Sequence, residues 1–303
     1  MARGPSLWKR QGRLLRSPER THGVGSMPAS LRTVVHSLVH AGLVGSAFVV
    51  FWVGGVFLSY VWLPVVRRFA PTPLDARLHS HAVIRHGFAS FMHALRITRL
   101  FNFDPRRNRR VFEDPCVFVA NHPTLLDVVA ILSCYERLCC VVKPSLYRSF
   151  SVGPLLRTCG HLCGSDGTAD ASQQLLEQAV GRLRDGFSVL VFPEGTRSPA
   201  HGLGPFLRGA FEIAARAAVP IVPVSIHCDP PALLRGMPWY RVPVDFVDYG
   251  LTELEPRTVS PGRSSVRRSV EEVADILRPD AARRVQTNAV GIPSIAEALQ
   301  QSP

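Results

Sequence analysis

The sequence predicts an α/β fold, namely a mixed, mostly parallel sheet flanked by helices, with an N-terminal membrane-anchoring helical segment. Two patterns carry this prediction. From residue 111 onward, short apolar runs of strand length alternate with helical segments. These runs are apolar at nearly every position, which is typical of strands covered on both faces. Ahead of them, the 34 residues from Thr33 to Val66 contain no Asp, Glu, Lys or Arg.

The apolar runs and the helical periodicity define the elements in order. Strands are predicted at 116–120, 138–143, 161–163, 187–192, 220–226 and 242–249. Helices are predicted at 124–135, near 146–157, and at 169–184, 206–218 and 264–278. The helix at 206–218 carries apolar residues at Leu207, Phe211, Ala214 and Ala218, which form one buried stripe at helical spacing.

Composition divides the chain into five segments. These are a basic disordered tail (1–30), a membrane anchor (31–70), an amphipathic linker helix (71–110), an α/β domain (111–280) and a C-terminal tail (281–303). The linker helix is expected to pack on the domain or to rest on lipid.

The anchor has two possible forms. As one helix, 34 uncharged residues would run roughly 50 Å, well beyond a hydrocarbon core of about 30 Å. A single tilted span and a shallow hairpin broken at Gly54–Gly55 both fit. Four arginines flank the segment within 20 residues on each side, so the charge distribution does not choose an orientation.

The composition narrows the classes of partner. The chain has 303 residues, 46% of them hydrophobic, and a net charge of +12 carried mainly by Arg. A basic surface suits anionic lipid, phosphate-bearing substrates or nucleic acid. No nucleic-acid-binding motif is visible, so no nucleic-acid partner is expected. The seven cysteines show no paired CxxC spacing, which predicts buried free thiols and no metal site.

The stretch VFVANHPTLLDVVAIL, residues 117–132, places two titratable groups in an apolar run. His122 follows a predicted strand, and Asp127 lies in the first turn of the next helix. Thr124 and Asp127 fit a helix-capping box, which is one sufficient reason for the aspartate. With His122 in the loop, the two side chains can also meet. The carboxylate would then hold one imidazole nitrogen protonated and leave the other as a base.

A second stretch, FSVLVFPEGTRSP at 187–199, ends a predicted strand in a polar turn. Gly195 allows close backbone approach, and Arg197 can donate two parallel hydrogen bonds to a phosphate. A local ion pair between Glu194 and Arg197 in an ordinary surface loop explains the same residues.

Taken together, Asn121-His122-x4-Asp127 and Phe192-Pro-Glu-Gly-Thr-Arg197, with the apolar block from Val219 to Val224, resemble the glycerolipid acyltransferase family, which includes the 1-acylglycerol-3-phosphate acyltransferases. The resemblance implies that 111–280 is an acyltransferase domain. It implies that the catalytic residues are His122 and Asp127, and that Glu194, Gly195, Thr196 and Arg197 bind substrate, with Glu194 shaping the loop by pairing with a nearby Arg.

The resemblance further implies an enzyme that moves an acyl chain from acyl-CoA or acyl-carrier protein to the hydroxyl of a lysophospholipid, with 1-acylglycerol-3-phosphate as the expected acceptor and phosphatidic acid as the product. No cofactor and no metal are expected. The expected location is the inner membrane of a bacterium, with the catalytic domain on the cytoplasmic face and membrane lipid as a partner. The sequence does not fix the oligomeric state.

One motif of the family is altered. Relatives carry a Gly-x-x-Phe-x-x-Arg-like stretch whose arginine helps to hold the acceptor phosphate, but here the stretch is GHLCGSDG, with Cys163 and Asp166 at the two key positions. Either Arg157, Arg197 or Arg208 holds the phosphate, or the acceptor is a different lipid or a polyene in specialised lipid biosynthesis. A hydrolase that uses the same pair on water and a lipid-binding protein without catalysis are the rival functions.

Overall fold

The computed structural model describes residues 29–107, 114–199, 202–240 and 242–278, with the side chains described from Ser37 onward. Most of the predicted basic tail (1–30) and the whole predicted C-terminal tail (281–303) lie outside these residues.

The predicted α/β architecture is confirmed. The described strands form a seven-stranded sheet in the order β1-β7-β6-β2-β5-β3-β4. They are β1 (Phe101–Asn102), β2 (Val117–Ala120), β3 (Leu138–Val142), β4 (Leu162–Cys163), β5 (Ser188–Val191), β6 (Ile221–Asp229) and β7 (Val247–Glu253). Neighbouring strands are parallel except for the antiparallel pair of β6 and β7.

Helices cover both faces of this sheet. They are α1 (Ala29–Phe57), α2 (Leu63–Phe69), α3 (Pro73–Ile97), α4 (Asp127–Cys134), α5 (Pro144–Tyr147), α6 (Gly153–Thr158), α7 (Ala169–Arg184), α8 (Gly209–Ala217) and α9 (Arg263–Ile276). Successive residues of β2 point to opposite sides, as the pleat requires. Phe118 and Ala120 join the cluster under α3 and α4, whereas Val117 and Val119 join the one under α7, α8 and α9.

Residues 71–107, the described part of the predicted linker segment, form part of the domain's core. Their helix, α3, packs against α4 and contributes buried side chains at Ile84, Met92 and Leu95. Strand β1 follows directly and pairs with β7 at the sheet edge. The helix was expected either to pack on the domain or to rest on lipid, and in the structure it packs on the domain.

The predicted anchor segment is helical without interruption from Ala29 to Phe69. Helix α1 runs through Gly54 and Gly55, and a π-helical turn (Leu58–Trp62) joins it to α2 without a break. The hairpin broken at these glycines is therefore wrong, because the backbone keeps its helical hydrogen bonds there. Within the described part of the chain, Ser37–Phe69 is the one helix whose length and composition suit a membrane crossing, and only 6% of its apolar window is buried.

This helix lies along the domain. His40 Nε2 is 3.1 Å from the carbonyl oxygen of Val242, and the Phe48 ring lies 5.3 Å from that of Trp239. Further along, the Tyr60 hydroxyl donates to the carbonyl of Phe150 at 2.8 Å. The contacts extend over 20 residues, or about 30 Å of helix.

Five of the seven cysteines are buried, and Cys163 and Cys228 are partly exposed. All are free thiols, as expected. Burial raises the pKa of the Cys140 thiol to about 12, so this side chain behaves as a small apolar residue.

Candidate active site

The two sequence motifs meet at one edge of the sheet. His122 follows the end of β2, and the Glu194–Arg197 turn follows the end of β5. These strands are parallel neighbours, so their carboxyl ends open at the same edge. Asn121 fixes the end of β2, because its side chain donates to Ile226 O at 2.9 Å and accepts from Ile226 N at 2.7 Å on the neighbouring β6.

The structure brings His122 and Asp127 into direct contact. Nδ1 of His122 lies 2.7 Å from Oδ2 of Asp127, and the carboxylate is fully buried while the imidazole is 19% exposed. The ring stacks on Phe192, with 4.2 Å between centroids and 26° between planes. With Nδ1–H donating to the carboxylate, Nε2 is left as the nitrogen that can take a proton.

Three further donors hold the Asp127 carboxylate. The backbone N–H of Thr124 donates to Oδ2 at 2.8 Å, and the Thr124 hydroxyl donates to Oδ1 at 2.5 Å. The Tyr249 hydroxyl donates to Oδ1 at 2.8 Å. The bond from Thr124 N to the Asp127 carboxylate is one of the two hydrogen bonds of the predicted capping box. The helix itself begins at Asp127 rather than at Thr124, and the Thr124 hydroxyl accepts from Leu126 N, one residue before that start.

Tyr249 is a site residue that sequence reasoning missed. Burial raises its pKa well above the usual value, and the charge of Asp127 raises it further. The phenol therefore stays neutral and remains a donor. It lies on β7, 122 residues from Asp127 in the chain, and no local pattern marks a contact of that separation.

Glu194 braces the loop from the inside. It is buried and accepts hydrogen bonds from the Ser198 hydroxyl at 2.6 Å, Gly204 N at 2.7 Å and His122 N at 3.3 Å. The expectation that Glu194 shapes the loop therefore holds, but its expected pairing with an arginine is wrong for the residues that the structure describes. Backbone N–H groups and a serine hydroxyl donate to both oxygens of the Glu194 carboxylate, so this side chain does not face a ligand.

The rest of the turn is more open. Gly195 has φ +64°, a left-handed conformation that costs glycine little, and it is exposed beside a partly exposed Thr196. Nη1 of Arg197 donates to the carbonyls of Leu233 and Leu234 at 3.0 and 3.2 Å. Among the described residues, both of its bonds come from Nη1, so Nε and Nη2 keep donors for a ligand.

The altered motif has a structural role of its own. Oδ1 of Asp166 accepts from the N–H and the hydroxyl of Thr168, and Thr168 caps α7. The other two candidate cations have protein partners, since Arg157 donates to Tyr147 O and Arg208 pairs with Glu212. Sequence reasoning gave no role to the exposed Lys143, which follows β3 at the same edge of the sheet.

This geometry defines a class of protein: an α/β domain whose sheet edge carries a histidine in contact with a buried carboxylate, beside a turn whose arginine keeps donors for a ligand. Comparisons with known proteins narrow the class. Residues 100–227 match the family model described as Acyltransferase. The chloroplastic 1-acyl-sn-glycerol-3-phosphate acyltransferase BAT2 of Brassica napus is 33% identical over 114 residues, which cover 38% of this chain and 33% of that protein.

Two further comparisons agree. The 1-acyl-sn-glycerol-3-phosphate acyltransferase of Pseudomonas aeruginosa is 27% identical over 168 residues, covering 55% of this chain and 65% of that protein. The crystal structure of the 1-acyl-sn-glycerophosphate acyltransferase PlsC from Thermotoga maritima shares the fold, with a TM-score of 0.54 at 22% identity, covering 81% of this chain and 94% of that one. The chain is therefore similar to the acyltransferase family over residues 100–227. It spans about a third of the length of the first curated relatives that it matches.

Proposed function

We propose that this protein is a membrane-bound O-acyltransferase that moves an acyl chain from a thioester donor to the hydroxyl of a lysophospholipid, with 1-acylglycerol-3-phosphate as the acceptor. The single observation that carries the proposal is the 2.7 Å contact between His122 Nδ1 and the Asp127 carboxylate. The carboxylate is fully buried, whereas the imidazole is 19% exposed. Burying a charge costs free energy unless the charge is paired. General-base catalysis explains why the chain keeps a buried carboxylate in contact with a partly exposed imidazole.

The proposed reaction uses the two residues in sequence. Nε2 of His122 takes the proton of the acceptor hydroxyl as its oxygen attacks the thioester carbonyl. Asp127 stabilises the imidazolium that forms. The tetrahedral intermediate then expels the thiolate of acyl-CoA or acyl-carrier protein. This thiolate takes from His122 the proton that came from the acceptor hydroxyl. Proton transfer of this kind supplies roughly 10²–10⁴ in rate.

The acceptor's phosphate has two candidate cations at this edge of the sheet. Arg197 retains donors on Nε and Nη2, and Lys143 is exposed after β3, with β5 between it and β2. The acidic residue at 166 is the observation that favours the second candidate function, acylation of a different lipid or polyene acceptor. An acid in that position cannot hold a phosphate dianion.

For the membrane, we propose that the outer side of α1 enters the lipid while the helix stays against the domain. Exposed apolar residues run along that side and into the π-helical turn, among them Val49, Val53, Phe57 and Val61. The domain contacts the helix over about 30 Å. A helix perpendicular to the bilayer would therefore draw Trp239 and Phe150 into the hydrocarbon.

Tags at the two ends of the chain separate these arrangements. In sealed vesicles, a helix that lies in one leaflet leaves both tags accessible to protease from the same side. A single span leaves them on opposite sides, which would contradict the proposed arrangement. Protein that is removed from the vesicles by high salt alone would contradict membrane insertion altogether.

Product analysis tests the chemistry. Membranes containing the protein are incubated with labelled acyl-CoA or acyl-carrier protein and a panel of lysolipids, and the lipids are chromatographed. Labelled phosphatidic acid that disappears in His122→Ala and persists in His79→Ala, an exposed histidine on α3, supports the proposal. Free fatty acid as the main product supports hydrolysis, and no difference between wild type and His122→Ala supports a binding role.

A further inference from the structure

Tyr249 has no part in the chemistry just proposed, yet it touches the catalytic pair. We propose that Tyr249 is a positioning residue, whose hydroxyl fixes the Asp127 carboxylate and so sets the proton affinity and orientation of His122. This inference rests on the proposed function for its catalytic meaning.

The tyrosine reaches the carboxylate from a separate part of the fold. Asp127 begins α4, whereas Tyr249 lies on β7, the strand that runs antiparallel to β6. Its ring is 3% exposed and meets the rings of Phe101 and Phe103 edge-on, at centroid distances of 6.4 and 5.4 Å. These contacts hold the hydroxyl in place independently of the helix that carries the aspartate.

The directions of the hydrogen bonds are determined. The Thr124 hydroxyl accepts from Leu126 N at 3.1 Å, so its own proton points to Asp127. The Tyr249 phenol is neutral and donates to the same oxygen, Oδ1. Oδ2 accepts from Thr124 N and His122 Nδ1. A carboxylate has about four lone-pair sites, so these four donors fill it and leave it one orientation.

Removal of the tyrosine hydroxyl has a defined consequence. The ring of Phe retains the contacts with Phe101 and Phe103, while Oδ1 of Asp127 loses one of its two donors. The less stabilised carboxylate then attracts the His122 proton more strongly, and it is free to turn. His122 is therefore protonated at higher pH and is held less well for taking the proton of the acceptor hydroxyl.

The test is Tyr249→Phe, compared with Tyr135→Phe as a matched control. Tyr135 is also a buried tyrosine whose hydroxyl donates to a carboxylate, that of Glu253 at 2.6 Å, but it does not contact Asp127. In the acyl-transfer assay, we expect Tyr249→Phe to lower kcat about 10-fold with KM changed less than about twofold. The acid limb of the pH–rate profile should move up by about 0.5 to 1 pH unit. Tyr135→Phe should move neither.

A second readout needs no catalysis. Diethyl pyrocarbonate acylates unprotonated imidazole, and mass spectrometry of peptides reports its rate at His122 alone as a function of pH. The pH of half-maximal labelling should rise in Tyr249→Phe and stay unchanged in Tyr135→Phe. An unchanged labelling curve in Tyr249→Phe overturns the inference, whether or not the wild type transfers acyl groups. A shifted labelling curve in a protein without transferase activity supports the inference and overturns only the proposed function.

Discussion

Two buried histidines away from the active site predict a specific acid sensitivity. Burial lowers the pKa of His81 to about 4; a hydrogen bond to the carbonyl of Cys159 opposes this, and the charges of Arg77 and Arg182 lower it further. Burial lowers the pKa of His161 to about 3, with a smaller effect from His81. The folded protein therefore keeps both rings neutral at pH values where the unfolded chain protonates them.

The magnitude follows from the shift. The unfolded chain binds protons at these positions below its usual pKa of 6.5, whereas the folded protein does so only near pH 4 and 3. Stability is thus fully present above about pH 6.5 and is lost as the pH falls towards those values. Each pH unit costs about 1.4 kcal/mol per histidine. Between pH 8 and pH 5, the pair should cost about 4 kcal/mol in the free energy of unfolding.

Urea unfolding in detergent micelles at pH 8 and pH 5 measures this loss. The matched variant is His81→Gln/His161→Asn, which keeps hydrogen-bonding groups for Cys159 O and Cys140 N but cannot titrate. The wild type should lose about 4 kcal/mol more than this variant between the two pH values. An equal loss in both proteins would contradict this prediction, because the loss would then come from groups other than His81 and His161. His79→Gln, on the same helix but exposed, should behave as the wild type.

Three further predictions concern the active site. Asp127→Asn should lower kcat by about 10²–10⁴, since an amide cannot stabilise the imidazolium; a rate within threefold of wild type would exclude that role. Glu194→Ala should lower the free energy of unfolding by about 2–5 kcal/mol, because Gly204 N and the Ser198 hydroxyl lose their acceptor. Glu194→Gln should lose less stability in urea unfolding. Equal losses in the two variants would contradict the role of the Glu194 carboxylate in holding the loop. Arg197→Lys should raise KM for the lysophospholipid about tenfold and leave KM for the acyl donor unchanged, because lysine has no planar fork; an unchanged acceptor KM in steady-state kinetics would remove Arg197 from the phosphate site.

The sequence predicts elements best where local pattern decides them. Helix α7 is found at the predicted bounds, since Thr168 caps it and its apolar stripe is regular. The helix predicted near 146–157 is instead two short ones, α5 and α6, each with a proline in its first turn. The strand predicted at 242–249 is found at Val247–Glu253, because antiparallel pairing with β6, rather than hydrophobicity, sets its register.

In the site, too, contacts between neighbours in the sequence could be predicted, whereas contacts between distant segments could not. The meeting of His122 and Asp127 follows from the end of one strand, one loop and the start of one helix, between Ala120 and Asp127, and could be predicted. The contact of Tyr249 with Asp127 depends on the sheet order, which brings β7 to the start of α4. The partners of Glu194 depend on Gly204, where a side chain would crowd the carboxylate: a Cβ there would lie 3.0 Å from Oε2. Such constraints exist only in three dimensions.

The role of His122 is tested most directly by the turnover of His122→Ala with labelled acyl donor and 1-acylglycerol-3-phosphate. The thermal unfolding midpoint of the variant should first be shown to equal that of the wild type. If His122 is the base, the rate of phosphatidic acid formation should fall by at least about 10²-fold. A variant that folds normally and acylates the lysolipid at the wild-type rate would contradict the assignment of His122 as the base.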